Sequence, residues 1–157
     1  MPKFQRSVNI AAPPEAVWSI VADPSFVPKL YPHVISISPA HSRIATAGNS
    51  VIVTAKMLGR KVNVLIEATE VVPNERFSVR HQPGGLFSNY KSTITLEPTK
   101  KGTKVSQDVE YEVHSGYLGK VATSIVARKV VKDNILQSME NLKEISELQE
   151  MPSAKSS

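Results

Sequence analysis

Hydrophobic positions along the chain change period three times and so divide it into four stretches. From Lys3 to Ile10 they alternate, with Phe4, Val8 and Ile10 on one phase and Arg6 an odd guest among them, which predicts a first strand. Through "AAPPEAVWSIVADPSFVPKLYPHV" the period is helical. Pro13 and Pro14 suit a first helical turn, where a missing N–H costs nothing, and Ala16, Val17, Ile20 and Val21 recur on one face. Asp23-Pro24 ends that helix and can cap a second short one, Ser25 to Leu30.

From Val34 the period is two again, through Val34 to Ile44, Val51 to Leu58, Arg60 to Val72, Arg76 to Gln82, Leu86 to Glu97 and Thr103 to His114. The breaks "AGNS", "LGR", "VPNE", "QPGG" and "TKKGT" supply Gly, Pro and Asn between consecutive strands. Connections this short imply an antiparallel meander. After "SGYLG", Val121, Ile125, Ile135, Met139, Leu142 and Ile145 predict one stripe of a helix reaching about Glu150. Some 30 helical residues span about 45 Å, enough to cross a whole sheet.

The order is strand, two short helices, six strands and one long helix. It predicts an α+β fold in which a curved antiparallel sheet of about seven strands wraps around the C-terminal helix. A curved sheet and a straight helix need not touch along their whole length, so the arrangement can enclose a cavity. The expected organisation is a single domain over residues 1–150 and a frayed tail, "MPSAKSS", over 151–157.

Composition narrows the classes of function. A chain of 157 residues buries roughly 68 to 70% of its unfolded surface as one domain. With 41% hydrophobic and 21% charged residues it lies away from the disordered regime. The net charge of +5 and pI near 9.5 permit a weak anionic partner or a membrane surface. The excess is spread over "GRK", "TKKGTK" and "ARKVVK", which reads as solvated surface more than as a nucleic-acid footprint. The absence of cysteine excludes disulfides, thiolate nucleophiles and cysteine-ligated zinc.

His33, His41, His81 and His114 are scattered without metal-ligand spacing, and no GxSxG, P-loop or GxGxxG occurs. No metal and no cofactor is expected. The N-terminal residues lack the apolar core of a signal peptide and no segment has 18 continuous apolar residues, so a cytoplasmic location is the default expectation.

The candidate chemistry lies in polar residues that occupy the apolar phase of strands. Val51, Val53, Ala55 and Met57, then Val62, Val64 and Ile66, then Val105, Val109 and Val113 define that phase. The exceptions are His81, Tyr90, Ser92, Gln107 and Tyr111, in three consecutive strands. A buried polar group without a partner costs about 1 to 3 kcal/mol, so five of them must be paired, hydrated or facing a cavity. Catalytic groups, satisfied core residues and pocket lining are the three readings, and the grouping favours the last. Two loops with glycine, "PGGLF" and "SGYLG", are candidates for controlling access, with Phe87 and Tyr117 at the pocket mouth. Arg128, three residues after Ile125 and seven before Ile135, is a candidate anchor for an acidic or carbonyl group of a ligand.

The stretch "SVNIAAPPEAVWSIVADPSFVPKLYPHV", with the meander and the terminal helix behind it, resembles the START-like, Bet v 1-type helix-grip superfamily. The likeness is to its polyketide cyclase/dehydrase and coenzyme Q-binding branches, and it covers Phe4 to about Leu148. In that superfamily the Ala-Pro-Pro-Glu-X-Val-Trp segment, here Ala12 to Trp18, is architectural, which makes Trp18 a core anchor. The resemblance implies a carrier of a hydrophobic small molecule such as a lipid, an isoprenoid quinone or a polyketide. It also allows a cyclase, aromatase or dehydrase with His81 as general acid or base, and a ribosome- or protein-interaction module. The expected ligand-binding set is Met57, Val64, Ile66, His81, Phe87, Tyr90, Gln107, Tyr111, Tyr117, Ile125 and Arg128.

Overall fold

A computed structural model describes residues 2–39, 46–83, 86–114 and 120–150. The strands are β1 (Lys3–Ile10), β2 (Val34–Ser38), β3 (Ser50–Met57), β4 (Arg60–Val72), β5 (Arg76–His81), β6 (Phe87–Thr99) and β7 (Gly102–Val113). Helices α1 (Pro14–Val21) and α2 (Val27–Leu30) follow β1, with a 3-10 turn Pro24–Phe26 between them, and α3 (Lys120–Glu150) closes the fold. All seven strands form one antiparallel sheet in the order β1-β7-β6-β5-β4-β3-β2.

Local chemistry sets most boundaries where the sequence pattern predicts them. Pro13 and Pro14 open α1, and Val17, Ile20 and Val21 bury its one apolar face. The Asp23 carboxylate accepts from the Ser25 N–H at 2.9 Å and starts the next turn. At the start of β7, Gly102 lies so close to the end of β1 that a Cβ there would stand 2.0 Å from the Ile10 carbonyl oxygen. Only glycine lets the two strand ends meet. Register shifts at Val34/Ser36, Ala68/Glu70 and Phe87/Asn89 add bulges that bend strands and curl the sheet.

The long helix packs chiefly on one side of the concave face, with β1, β7, α1 and α2 as its closest neighbours. Its C-terminal half is tied there. The Glu147 carboxylate accepts the Ala11 N–H at 2.9 Å, Lys143 donates to the Asn9 carbonyl at 3.1 Å, and Asn141 donates to the Leu30 carbonyl at 3.1 Å. The Lys143 ammonium and the Ala11 N–H together hold the Glu147 carboxyl below its usual range. The helix thus leaves β3 to β6 uncovered beneath it, which is the origin of the cavity described below.

The helix stripe differs from the expected one. Ile125 is 67% exposed, and the buried positions are Thr123, Ala127, Val131, Ile135 and Met139, then Leu142 and Ser146, with Ser138 beside them. Steps of four residues advance about 40° around a helix of 3.6 residues per turn, so this stripe winds along α3 to follow the twisted sheet. Ile125, two residues before Ala127, therefore points about 160° away from it. Arg128 is also exposed. Strand β2 is shorter than the predicted Val34 to Ile44, and residues 40–45 lie outside the described residues.

Candidate functional site

The uncovered part of the concave face is the floor of a cavity of about 160 Å³. Apolar walls come from Val51, Val53, Ala55 and Met57 on β3, Val64 and Ile66 on β4, Phe77 and Val79 on β5, and Val131, Met139 and Leu142 on α3. These are the inward phases of strands whose outward phases face water, so period-two patterning alone directs them here. Among the described lining residues there is no Asp, Glu, Lys or Arg.

Polar groups enter this wall from three directions. The sheet brings His81, Tyr90, Ser92 and Gln107; the turn after α2 brings Tyr31 and His33; α3 brings Asn134 and Ser138. The turn is closed by the Val34 N–H on the Tyr31 carbonyl at 2.9 Å, and the Lys56 N–H bonds to the His33 carbonyl at 2.8 Å. Pro32 at its second position presets the backbone, so the turn holds Tyr31 and His33 at the cavity.

A hydrogen-bonded chain crosses the cavity. The Gln107 amide donates to the Ser92 hydroxyl at 2.9 Å and, more weakly, to the Tyr31 hydroxyl at 3.5 Å. Tyr31 also bonds to Ser138 on the helix, and Ser138 donates to the Ile135 carbonyl at 3.0 Å. The chain satisfies groups that would otherwise be costly to bury and fixes the spacing between sheet and helix.

Beside it, the His81 ring stacks on Tyr90 with centroids 4.4 Å apart and planes at 22°. The two residues are register partners on β5 and β6, and Tyr90 is in turn opposite Tyr111 on β7. Phe87 packs edge-on against Tyr90 at 5.2 Å and Tyr111 at 5.6 Å. Tyr31 and His33 meet edge to face at 6.1 Å.

Burial keeps these groups uncharged. Desolvation, with a smaller contribution from His33, pushes the His81 pKa down to about 4. Desolvation alone lowers that of His33. Desolvation raises Tyr31 against the opposing hydrogen bonds from Gln107 and Ser138, and raises Tyr90 with help from Tyr31 and Tyr111. Tyr111 is also raised by burial, partly offset by the Arg128 charge. The Nδ1 atom of His33 is buried and has no hydrogen-bond partner among the described residues.

Of the expected set, Met57, Val64, Ile66, His81, Phe87, Tyr90 and Gln107 line this one cavity. Phe87 is an interior ring, 7% exposed, and not a rim residue. Tyr111 is buried behind Phe87 and outside the lining. Ile125 points away from the cavity for the helical reason given above, and Arg128 is exposed and outside the lining, although its charge reaches Tyr111. Tyr117, with the rest of "SGYLG" and the two glycines of "PGGLF", lies outside the described residues. Sequence reasoning missed Tyr31, His33, Asn134 and Ser138. Tyr31-Pro32-His33 carried the one available signal, a turn placing aromatic rings between a helix and an edge strand.

No group of three or more His, Asp or Glu among the described residues is arranged to hold a metal ion. No described helix is long and apolar enough to cross a membrane.

Sheet, helix and interior space together define a helix-grip domain with an internal cavity. The chain belongs to the family described as polyketide cyclase/dehydrase and lipid transport, which matches residues 1–147. No curated protein matches it. Among solved structures, TTHA0849 from Thermus thermophilus is 23% identical with a TM-score of 0.78, covering 96% of this chain and 100% of its own. The Zhui aromatase/cyclase from Streptomyces sp. R1128 is 12% identical with a TM-score of 0.83, covering 98% of both chains. A START superfamily protein from Mycobacterium smegmatis is 18% identical with a TM-score of 0.69, covering 90% of this chain and 97% of its own. At these identities the likeness establishes the fold.

Proposed function

We propose that the protein binds and carries an uncharged, hydrophobic small molecule in the cavity between sheet and α3. The observation that carries this reading is the cavity wall, apolar over most of its lining and free of Asp, Glu, Lys and Arg among the described residues. Such a wall gains from apolar transfer, at about 25 cal/mol per Å² of buried surface, and offers no opposite charge to offset the desolvation of a charged ligand. The space of about 160 Å³ suits one aromatic ring or a short length of chain; an engineered apolar cavity of about 150 Å³ accepts benzene. A whole lipid, quinone or polyketide enters only as the flexible Met57 and Met139 side chains give way.

The polar groups then select the head of the ligand. A ring carrying a hydroxyl or carbonyl extends the His81–Tyr90 stack and meets the buried His33 Nδ1, which otherwise has no partner among the described residues. The same residues allow a second reading, cyclase or dehydrase chemistry with His81 as base. A pKa of about 4 makes His81 a poor proton acceptor for a neutral substrate and leaves it without an acid to donate near pH 7. Carriage therefore ranks first.

The test is native mass spectrometry of the purified protein with organic extraction of any released molecule, followed by titration with an uncharged apolar fluorophore. Uptake at unit stoichiometry that is lost in Val64→Trp, which fills the cavity, is the expected result. A protein that brings no small molecule with it and takes up no probe, or a Val64→Trp variant that binds as well as the parent, would sink the reading.

A further inference from the structure

Charge is distributed unevenly along the chain. Residues 24–66 contain five cations, Lys29, Arg43, Lys56, Arg60 and Lys61, and no Asp or Glu. Removing these five from the total of 19 leaves 14 cations against 14 acids, so the whole net charge of +5 belongs to this one stretch. Four of the seven large hydrophobic residues that stand exposed among the described residues, Ile35, Ile52, Leu58 and Leu65, lie in it too.

The β3–β4 hairpin concentrates both features on its outer face and at its tip, where Leu58 and Arg60, the register partner of the inward Met57, stand exposed. Its outward phase pairs Ile52 with Leu65, Thr54 with Asn63, and Lys56 with Lys61, while its inward phase walls the cavity through Val53, Ala55, Met57 and Val64. Ile52 and Leu65 are 45% and 40% exposed, and Leu58 at the tip is 63% exposed. Leu58 also has a φ of 50°, a left-handed conformation that a side chain disfavours. Lys56 and Lys61 are like charges directly opposite one another, an arrangement that weakens a strand pair. Neither they nor Arg60 take part in any of the five ion pairs found among the described residues. Folding alone accounts for none of these choices.

We propose that the outer face and tip of the β3–β4 hairpin dock on an anionic lipid surface, with Lys56, Arg60 and Lys61 against headgroups and Leu58 inserted beside them. Cations without acidic neighbours are drawn to negative headgroups, and exposed aliphatic side chains among them add burial at the interface. A nucleic acid fits less well, because residues 50–67 contain no aromatic side chain on which a base can stack. A second copy of the same face would bring like charges together. Docking here sets one wall of the cavity against the membrane, yet it stands or falls independently of what the cavity binds.

The experiment is sedimentation with vesicles of phosphatidylcholine containing roughly a third phosphatidylserine, compared with phosphatidylcholine alone, at low and high salt. Each cation near such a surface contributes roughly a fivefold factor, so Lys56→Gln/Lys61→Gln is expected to weaken binding on the order of 25-fold. Arg60→Gln and Leu58→Ser are expected to weaken it severalfold each. Lys100→Gln/Lys101→Gln, the same charge change in the β6–β7 turn at the far end of the sheet, is expected to leave it within about twofold. Circular dichroism and urea midpoints confirm that each variant is folded, and removal of the opposed lysines is expected to leave the midpoint level or raised. No binding to the anionic vesicles at low salt overturns the proposal. So does an equal loss in the Lys100/Lys101 pair, which would reduce the effect to net charge. Tighter binding to a single-stranded oligoribonucleotide, dependent on Lys56 and Lys61 but indifferent to Leu58→Ser, overturns it in favour of a nucleic-acid surface.

Discussion

Substituting His81 by phenylalanine should flatten the acid dependence of stability. The imidazole has a pKa of about 4 in the folded protein, against 6.5 for its ordinary value. A base whose pKa is depressed by folding is protonated more readily in the unfolded chain, so its contribution is fully favourable above about pH 6.5 and is lost as pH falls towards 4. The full difference is on the order of 3 kcal/mol, at 1.36 kcal/mol per pH unit, and about 2 kcal/mol of it disappears between about pH 7 and pH 5. Phenylalanine retains a flat ring for the Tyr90 stack and cannot be protonated. The assay is urea unfolding of parent and His81→Phe at both pH values. Groups that do not interact with His81 contribute alike to both proteins and cancel in the comparison; His33, the smaller cause of the His81 shift, adds only a minor difference. The parent should lose about 2 kcal/mol more than the variant on acidification. Equal losses would show that His81 is solvated in the folded state and that burial does not depress its pKa.

Three further outcomes are expected. Gly102→Ala should lower stability by more than about 1 kcal/mol, measured by thermal or urea unfolding, because the new methyl group collides with the Ile10 carbonyl. Ser92→Ala and Gln107→Leu should each cost about 1 to 3 kcal/mol by leaving a buried partner unpaired, while the double variant costs less than their sum; strict additivity in the cycle would refute a direct bond. Arg128→Leu should leave the affinity for an uncharged apolar probe unchanged in fluorescence titration, since the guanidinium stands outside the cavity; a severalfold loss would restore the anchoring role.

The fold was legible because strand alternation and turn chemistry are local. Gly, Pro and Asn in the breaks place nearly every strand end within a residue or two of its position in the sheet. The sheet's contribution to the cavity was legible for the same reason: His81, Tyr90, Ser92 and Gln107 break an alternating phase, and an antiparallel order puts β5, β6 and β7 side by side. The helix was another matter. Ile125 and Ile135, ten residues apart, lie about 80° from one another on a straight helix and so mark no single stripe, whereas the four-residue recurrence of Ala127, Val131, Ile135 and Met139 turns the buried face gradually. The drift was present in the sequence, but alanine, threonine and serine at buried positions give little hydrophobic signal with which to trace it.

Tyr31 and His33 show a different limit. The turn at Tyr31-Pro32-His33 is their one local mark, and it does not say which way the rings point, because their placement depends on where a short connection sets them relative to a strand 70 or more residues away; the Gln107 bond to Tyr31 spans 76 residues. The opposite holds for the β3–β4 hairpin. The absence of Asp and Glu from residues 24–66 is visible in the sequence, yet with the cations divided among "GRK" and distant basic clusters the charge reads as plain solvated surface. Only register makes it meaningful. Pairing places Lys56 against Lys61 and Ile52 against Leu65 on one face, and a net charge that looked diffuse along the chain becomes a surface backed by the cavity wall. If a hydrophobic ligand is taken from or delivered to a membrane, a hairpin with one face on the ligand and the other on headgroups provides the shortest path between them.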